Sequence, residues 1–218
     1  MRRILALAAA LLLLAGCGSR APQADSTAKP QPVTIAQPET TRAAQPEGIN
    51  IHYPVFPEYS AAVNTRIVEA ACRALDGYDP EPEERLFLDI DCEVKLNTDE
   101  LVSIVFKGMG YLTSNLRPDH FFYTMNLDVQ TGEPVRLADK AILDDAFAQA
   151  LHRVAKAALG IEEYELYKRD YIDCAYEDGF GFPQELAAAE VYFTQNVIGV
   201  VLPWKLSAGR WYVIEMPR

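Results

Sequence analysis

The chain has 218 residues, half of them apolar, with 20 basic and 31 acidic side chains and a formal charge of −11. That balance argues against nucleic acid as a partner and against direct adhesion to anionic lipid headgroups, both of which need a basic surface. It suits a cationic partner, or an acidity that serves solubility alone.

Met1-Arg2-Arg3 followed by the apolar run from Ile4 to Ala15 has the form of a secretory signal peptide, a basic tip and a short hydrophobic region too short to prefer spanning a bilayer. The run ends in Leu14-Ala15-Gly16-Cys17, the form of a bacterial lipobox, in which Cys17 takes the lipid and residues 1–16 are removed. Cleavage there takes away two positive charges, Arg2 and Arg3, and moves the formal charge from −11 to −13. Two or three acyl chains on one residue hold a protein stably at a membrane, where a single chain does not. The predicted location is the extracytoplasmic face of the cell membrane. Gly18 in place of Asp leaves an outer-membrane destination open in a cell that has one.

Residues 17–48 read as the lipidated Cys and a disordered tether. Pro, Ala, Gln and Thr dominate, and Pro22, Pro30, Pro32, Pro38 and Pro46 interrupt helix and sheet. A coil of this length reaches on the order of 30 Å. The remainder, 49–218, is large enough for one real core and rather small for two. We read it as a single α+β domain, with 49–139 as its first part and 140–218 as its second.

Ile49, Ile51, Tyr53 and Val55 alternate as a short strand, and Tyr59 to Leu75 carries a helical apolar face of Val63, Ile67, Ala70, Ala71, Ala74 and Leu75. An acidic loop with prolines covers 76–85. Leu86, Leu88, Ile90, Cys92, Val94 and Leu96 then take every second position, with Asp89, Asp91 and Glu93 between them, the mark of a half-buried antiparallel strand. Val102, Ile104 and Phe106 resume the alternation. Phe121 to Val129 repeats it, and Val135 and Leu137 complete a four-stranded meander. Leu143, Phe147, Ala150, Leu151, Val154 and Ala158 make a second amphipathic helix, with Asp139 or Asp144 near its start and Gly160 as its stop. A short helix and a loop fill 161–184. Strands follow at 191–194, 197–202 and 211–216. The fold class is α+β, a mainly antiparallel sheet with two principal helices packed on it.

Of the cysteines left after lipidation, Cys72 and Cys92 both fall at apolar-face positions. Two alternatives stand: a disulfide, natural in an exported protein and worth roughly 3 kcal/mol for a loop of that length, or two buried free thiols. Cys174 reads as buried. No Cys or His spacing suits a zinc site, and no cofactor fingerprint occurs.

Two stretches carry a family resemblance. Ser103 to Gly108 with Met125 to Asp139 (MNLDVQTGEPVRLAD), and Val191 through Leu202-Pro203 to Ala208-Gly209, resemble the patterns of the paired extracytoplasmic domains of unknown function 4163 and 3298. These are found in the ectodomain of the lysozyme-sensing anti-sigma factor RsiV and in the N-terminal module of the peptidoglycan deacetylase PdaC. The resemblance implies an α+β module that acts outside the cell beside cell-wall chemistry, without the deacetylase domain and without a sigma-binding segment. The chain departs from the pattern at Ser114-Asn115-Leu116-Arg117-Pro118-Asp119, where the family often has Gly-Gly-Ala-His-Pro and Arg117 replaces the His.

Catalysis would need a nucleophile with a base, paired carboxylates in a cleft, or a metal. None of the corresponding motifs is present, so no enzyme is expected. The candidate ligand-binding residues are the strand face of Asp89, Asp91 and Glu93, the loop residues Arg117, Asp119 and His120, and the tyrosines Tyr164, Tyr167 and Tyr171. Solvated strand, turn chemistry and a helix packing stripe explain the same three groups without a ligand. The function expected is a lipid-anchored, non-catalytic envelope binding module for a cationic wall hydrolase such as lysozyme, or alternatively for peptidoglycan or another wall polysaccharide.

Overall fold

In the computed structural model, which describes residues 40–42, 48–115, 117–173, 182–205 and 209–218, the described chain opens on two strands. β1 (Thr40–Arg42) pairs antiparallel with β2 (Ile49–Pro54), so the composition that predicts a tether as far as residue 48 conceals a short strand at its end. Helix α1 (Ala61–Ala71) is capped by Ser60, whose Oγ accepts from the Val63 N–H at 3.3 Å, and runs on as a 3-10 turn over Cys72–Gly77. It carries the chain to β3 (Leu86–Asn97), which lies parallel to β2, a β-α-β crossover and the one parallel pair among the described strands of a mainly antiparallel sheet.

β3, β4 (Leu101–Leu112) and β5 (Asp119–Asp128) form the meander, and the first sheet has the order β1-β2-β3-β4-β5. The expected fourth meander strand does not form. Pro134 makes only an isolated bridge to Leu127, and Leu137–Asp139 is a 3-10 turn with Asp139 accepting from the Arg136 N–H. Val135 N–H still donates to the Asn126 carbonyl at 2.9 Å, and the pairing stops there because the next N–H, that of Arg136, is the one Asp139 takes. The turn before Pro134 is held by Asp128, whose Oδ1 accepts from the N–H groups of Gln130 and Thr131, and by Gly132 at a φ of 72°.

The register shifts between Val94 and Leu96. Up to Val94 the apolar row packs with α1 against Ile51, Ile67 and Ile104. Beyond the shift Leu96 pairs with Ser103, and its side chain joins the other core. One extra residue in a strand moves every later side chain to the opposite face, which is why the uninterrupted alternation in the sequence misplaces Leu96.

The second half begins with α2 (Asp145–Ala158), capped by Asp144, which accepts from the Phe147 N–H at 2.9 Å. Gly160 does not stop α2. Leu159 ends it, and Gly160 caps α3 (Ile161–Lys168), which loosens into a π turn over Arg169–Asp173. After α4 (Phe182–Ala187), strands β6 (Glu190–Phe193), β7 (Val197–Pro203) and β8 (Trp211–Pro217) make a three-stranded antiparallel sheet. Along β7 Gly199 is required by its partner Tyr192, because a Cβ there would lie about 2.1 Å from the tyrosine ring.

The described elements stack as α1, first sheet, second sheet, then α2 and α3. Val63, Ile67, Leu88 and Ile104 fill the first interface, and Leu151, Phe193, Val200 and Ile214 the last. The middle interface is small and partly polar. Val105, Tyr192 and Val201 supply its apolar part. Ser103 Oγ donates to Asn126 Oδ1 (2.6 Å) and accepts from the Phe193 N–H (2.9 Å), while Asn126 Nδ2 donates to the Val191 carbonyl (2.8 Å). One step along β5, the Thr124 N–H and hydroxyl both donate to Glu190 Oε2 at 2.7 Å, and the same hydroxyl accepts from the Val191 N–H. Side chains of β4 and β5 thus satisfy the backbone of β6 across the gap between the sheets.

Removing Asn126 leaves the Val191 carbonyl and the Ser103 hydroxyl without their buried partner. Asn126→Ala is expected to lower the unfolding free energy by about 2–3 kcal/mol. The exposed Lys156→Ala is expected to stay within about 0.5 kcal/mol. Urea unfolding midpoints of the two variants against the parent measure this.

Candidate functional site

The second sheet covers only part of the first. Cross-strand partners share a face, so the pairs Phe87–Tyr111, Asp89–Met109 and Asp91–Lys107 continue the same surface that carries Ser103 and Val105. β5 adds His120 beside Met109 and Phe122 beside Lys107. Beyond Phe122, which meets Trp211 of β8 at 5.7 Å between ring centroids, this surface is open. Met109 is 44% exposed and Tyr111 37%, high values for large apolar side chains on a sheet. Phe87 and Tyr111 stack at 5.1 Å with an interplanar angle of 17°, and the Lys107 ammonium lies 4.8 Å from the centre of the Phe122 ring.

Asp89 and Asp91 stand on this open face. Asp91 Oδ1 accepts from the Cys92 N–H and lies 3.8 Å from His52 Nδ1. Glu93 lies further along, paired with Lys95 at 2.7 Å. His120 shares the face, its ring against the backbone of Gly209, and borders a recess of about 300 Å³ with Arg73 and Trp211. Asp119 alternates to the opposite side and accepts from the Tyr78 hydroxyl at 3.1 Å. Arg117 sits in the turn before β5, its N–H donating to Asn115 Oδ1. The predicted acidic row and His120 are therefore brought together, and Arg117 and Asp119 are not part of that group.

The tyrosines are a correction. Tyr167 is completely buried and Tyr171 nearly so, with Tyr164 packed against them; both meet Tyr212 edge-on, and Tyr212 stacks on Trp204. Their spacing is a packing stripe, with Tyr167 and Tyr171 closed to a ligand and Tyr164 half-buried at its edge. Tyr167 Oη and His152 Nδ1 share a hydrogen bond of 2.6 Å. Burial holds the phenol well above its usual range and lowers the imidazole, so the phenol donates to a neutral ring. Asp170 is buried beside this cluster, taking the Tyr212 hydroxyl at 3.0 Å and the Arg169 guanidinium at 3.0 Å.

The residues that carry the family resemblance are structural. Ser103 and Asn126 join the sheets, and Asp128, Gly132 and Asp139 shape the turns. What sequence reasoning missed is Phe87, Lys107, Met109 and Tyr111. Their alternation was visible, but which of them flank Asp89 and Asp91 depends on strand register. Cys17, Cys174 and the signal segment lie outside the described residues. Among the described residues no three His, Cys, Asp or Glu side chains come together to hold a metal ion.

No protein-family description matches the sequence, and no curated protein matches it. The solved structures do. A DUF3298 family protein from Pseudomonas aeruginosa PAO1 superposes with a TM-score of 0.53 at 15% identity, over 82% of this chain and 89% of that one. This chain has the DUF3298 fold. A DUF3298 member from Bacteroides fragilis NCTC 9343 matches with a TM-score of 0.47 at 13% identity, over 78% of this chain and 80% of that one. The DUF3298 fold is the one the resemblance in 103–139 and 191–209 implies.

Cys72 and Cys92 are free thiols and both half-buried, where the second of the two alternatives has them buried. Burial first, and Asp91 second, push the Cys92 thiol up to about 12; burial and then Asp76 raise Cys72 as well. A folded-state value above the unfolded one gives stability that is full below roughly pH 8.5 and lost as pH rises toward that folded value. In the folded protein at pH 8, iodoacetamide is expected to label Cys92 at least about a hundredfold more slowly than in urea, because the thiolate is the nucleophile. Peptide mass spectrometry against time measures the ratio.

Proposed function

We propose that this chain is a lipid-anchored, non-catalytic binding module on the extracytoplasmic side of the bacterial envelope, and that the open face of its first sheet takes a cationic protein such as a lysozyme-type wall hydrolase. The observation that carries the reading is the composition of that face. Asp89 and Asp91 stand exposed beside the Phe87–Tyr111 stack and Met109, which combines apolar contact area with negative charge. Aromatic and methionine anchors flanked by charge are the makeup of protein-recognition patches. A formal charge of −13 after cleavage at Cys17 would steer a basic partner toward it.

Anchoring rests on the lipobox at Cys17, and no described helix is long and apolar enough to cross a membrane. The non-catalytic reading rests on where the described histidines stand. His52 faces Asp91 on an exposed strand surface, His120 lies against Gly209, and His152 is spent on Tyr167. The hydroxyl that His152 meets, that of Tyr167, is wholly buried and held protonated, which is not a nucleophile presented in a cleft. A second reading, wall polysaccharide, is favoured by one feature, the stack of exposed Tyr111 on half-buried Phe87, since sugars stack on such rings.

Titration of the purified protein with lysozyme across a salt series tests the first reading. We expect binding with a component that survives about 0.15 M salt, where the Debye length is near 8 Å. Asp89→Asn with Asp91→Asn is expected to weaken it about tenfold at low salt and less at high salt. Binding that vanishes by physiological salt would be charge attraction alone. No binding at any salt, with retention on purified peptidoglycan, would replace this reading with the second.

A further inference from the structure

In a protein this acidic, one groove is lined by three arginines. Arg66, Glu69, Ala70 and Arg73 follow one another at i, i+3, i+4 and i+7 and so form a single row along α1 and its 3-10 extension. Across from that row stand the edge strand β5 and the Pro134–Leu137 segment with Arg136, and together they enclose a groove of about 400 Å³. This volume is that of a small-molecule site. Met125 and Leu127 contribute to its floor, so its body is partly apolar.

The three guanidiniums are not equivalent. Arg73 is fixed: its Nη2 donates to Glu190 Oε1 at 2.6 Å and its carbon lies 4.5 Å from the centre of the Tyr123 ring. Arg66 and Arg136 are both exposed, and among the described residues neither forms an ion pair, although Glu69 stands in the same helical row as Arg66. With Glu190 neutralising Arg73, the groove keeps two positive charges and one negative one. That excess suits a monoanion better than a phosphate dianion, which Glu69 would repel more strongly. The planar guanidinium fork matches a carboxylate, and the apolar floor suits a short carbon chain behind it.

We infer that this groove binds the carboxylate end of a small organic ligand, of the kind presented by the C-terminus of a short peptide, through Arg66 and Arg136. The site lies at the β5 edge beside α1, and the open face with Asp89 and Asp91 plays no part in it. Failure of one assignment therefore leaves the other standing.

The test is an NMR titration of the ¹⁵N-labelled protein with N-acetyl-alanyl-alanine, its C-terminal amide, and inorganic phosphate as separate probes. Expected are saturable shifts of the Met125, Leu127 and Arg136 amides with the free acid, and a loss of affinity of about tenfold in Arg66→Ala and in Arg136→Ala. Both residues are exposed and unpaired, so unchanged unfolding midpoints are expected alongside. Equal binding of the amide, or equal shifts with phosphate, would overturn the carboxylate assignment. Absence of shifts with all three probes, or binding unaltered in both variants, would overturn the site itself.

Discussion

The arrangement of this protein depends on a few hydrogen bonds between two sheets that share no ladder. Ser103 and Asn126 sit opposite each other on β4 and β5, and their side chains bond to the backbone of β6 at Val191 and Phe193. Thr124 and Glu190 repeat the device one step away, and Arg73 ties Glu190 to the end of α1. A buried polar group is costly unless it is satisfied, and each of these satisfies another, so the sheets have one preferred register rather than a sliding apolar contact. The apolar part of the same interface is small, centred on Val105, Tyr192 and Val201. The polar seam therefore carries the specificity.

Both proposed binding surfaces follow from where that seam lies. Because it engages the Ser103–Val105 end of β4, the other end of the same face is left open, and Asp89, Asp91, Met109 and Tyr111 remain in solvent. Because it brings β6 to the edge of β5, the segment before β6 closes one side of the groove beside α1. Glu190 belongs to both structures. One carboxylate oxygen holds Thr124 and the other holds Arg73, which turns that guanidinium into a fixed wall and leaves Arg66 and Arg136 free for an incoming anion.

Much of this was legible residue by residue. Period-two alternation located β3, β4 and β5, and helical periodicity located α1 and α2, because each of these elements buries one face against a core. Asp144 was readable as a cap by type and position, whereas Ser60, read as part of the helix, proved to be its cap. The misreadings share a cause. Leu96 crossed to the other core through a shift in register, the expected strand broke off after Val135 because Asp139 takes the Arg136 N–H, and Tyr167 and Tyr171 turned inward where a recognition patch was weighed. In each case local composition was compatible with two environments, and a partner distant in the chain decided between them.

The sequence by itself determined the acidic charge, the α+β class and the turn chemistry around Asp128 and Gly132, since each is set by residue type or by neighbours within a few positions. Tertiary structure decided the parallel placement of β2 beside β3, the pairing of Ser103 with Asn126 across to β6, which half of a sheet face stays open, and which arginines lack a partner. Those properties depend on contacts between residues far apart in the chain, 90 positions from Ser103 to Phe193 and 117 from Arg73 to Glu190. Their geometry exists only once both sheets have formed and the seam has set one against the other.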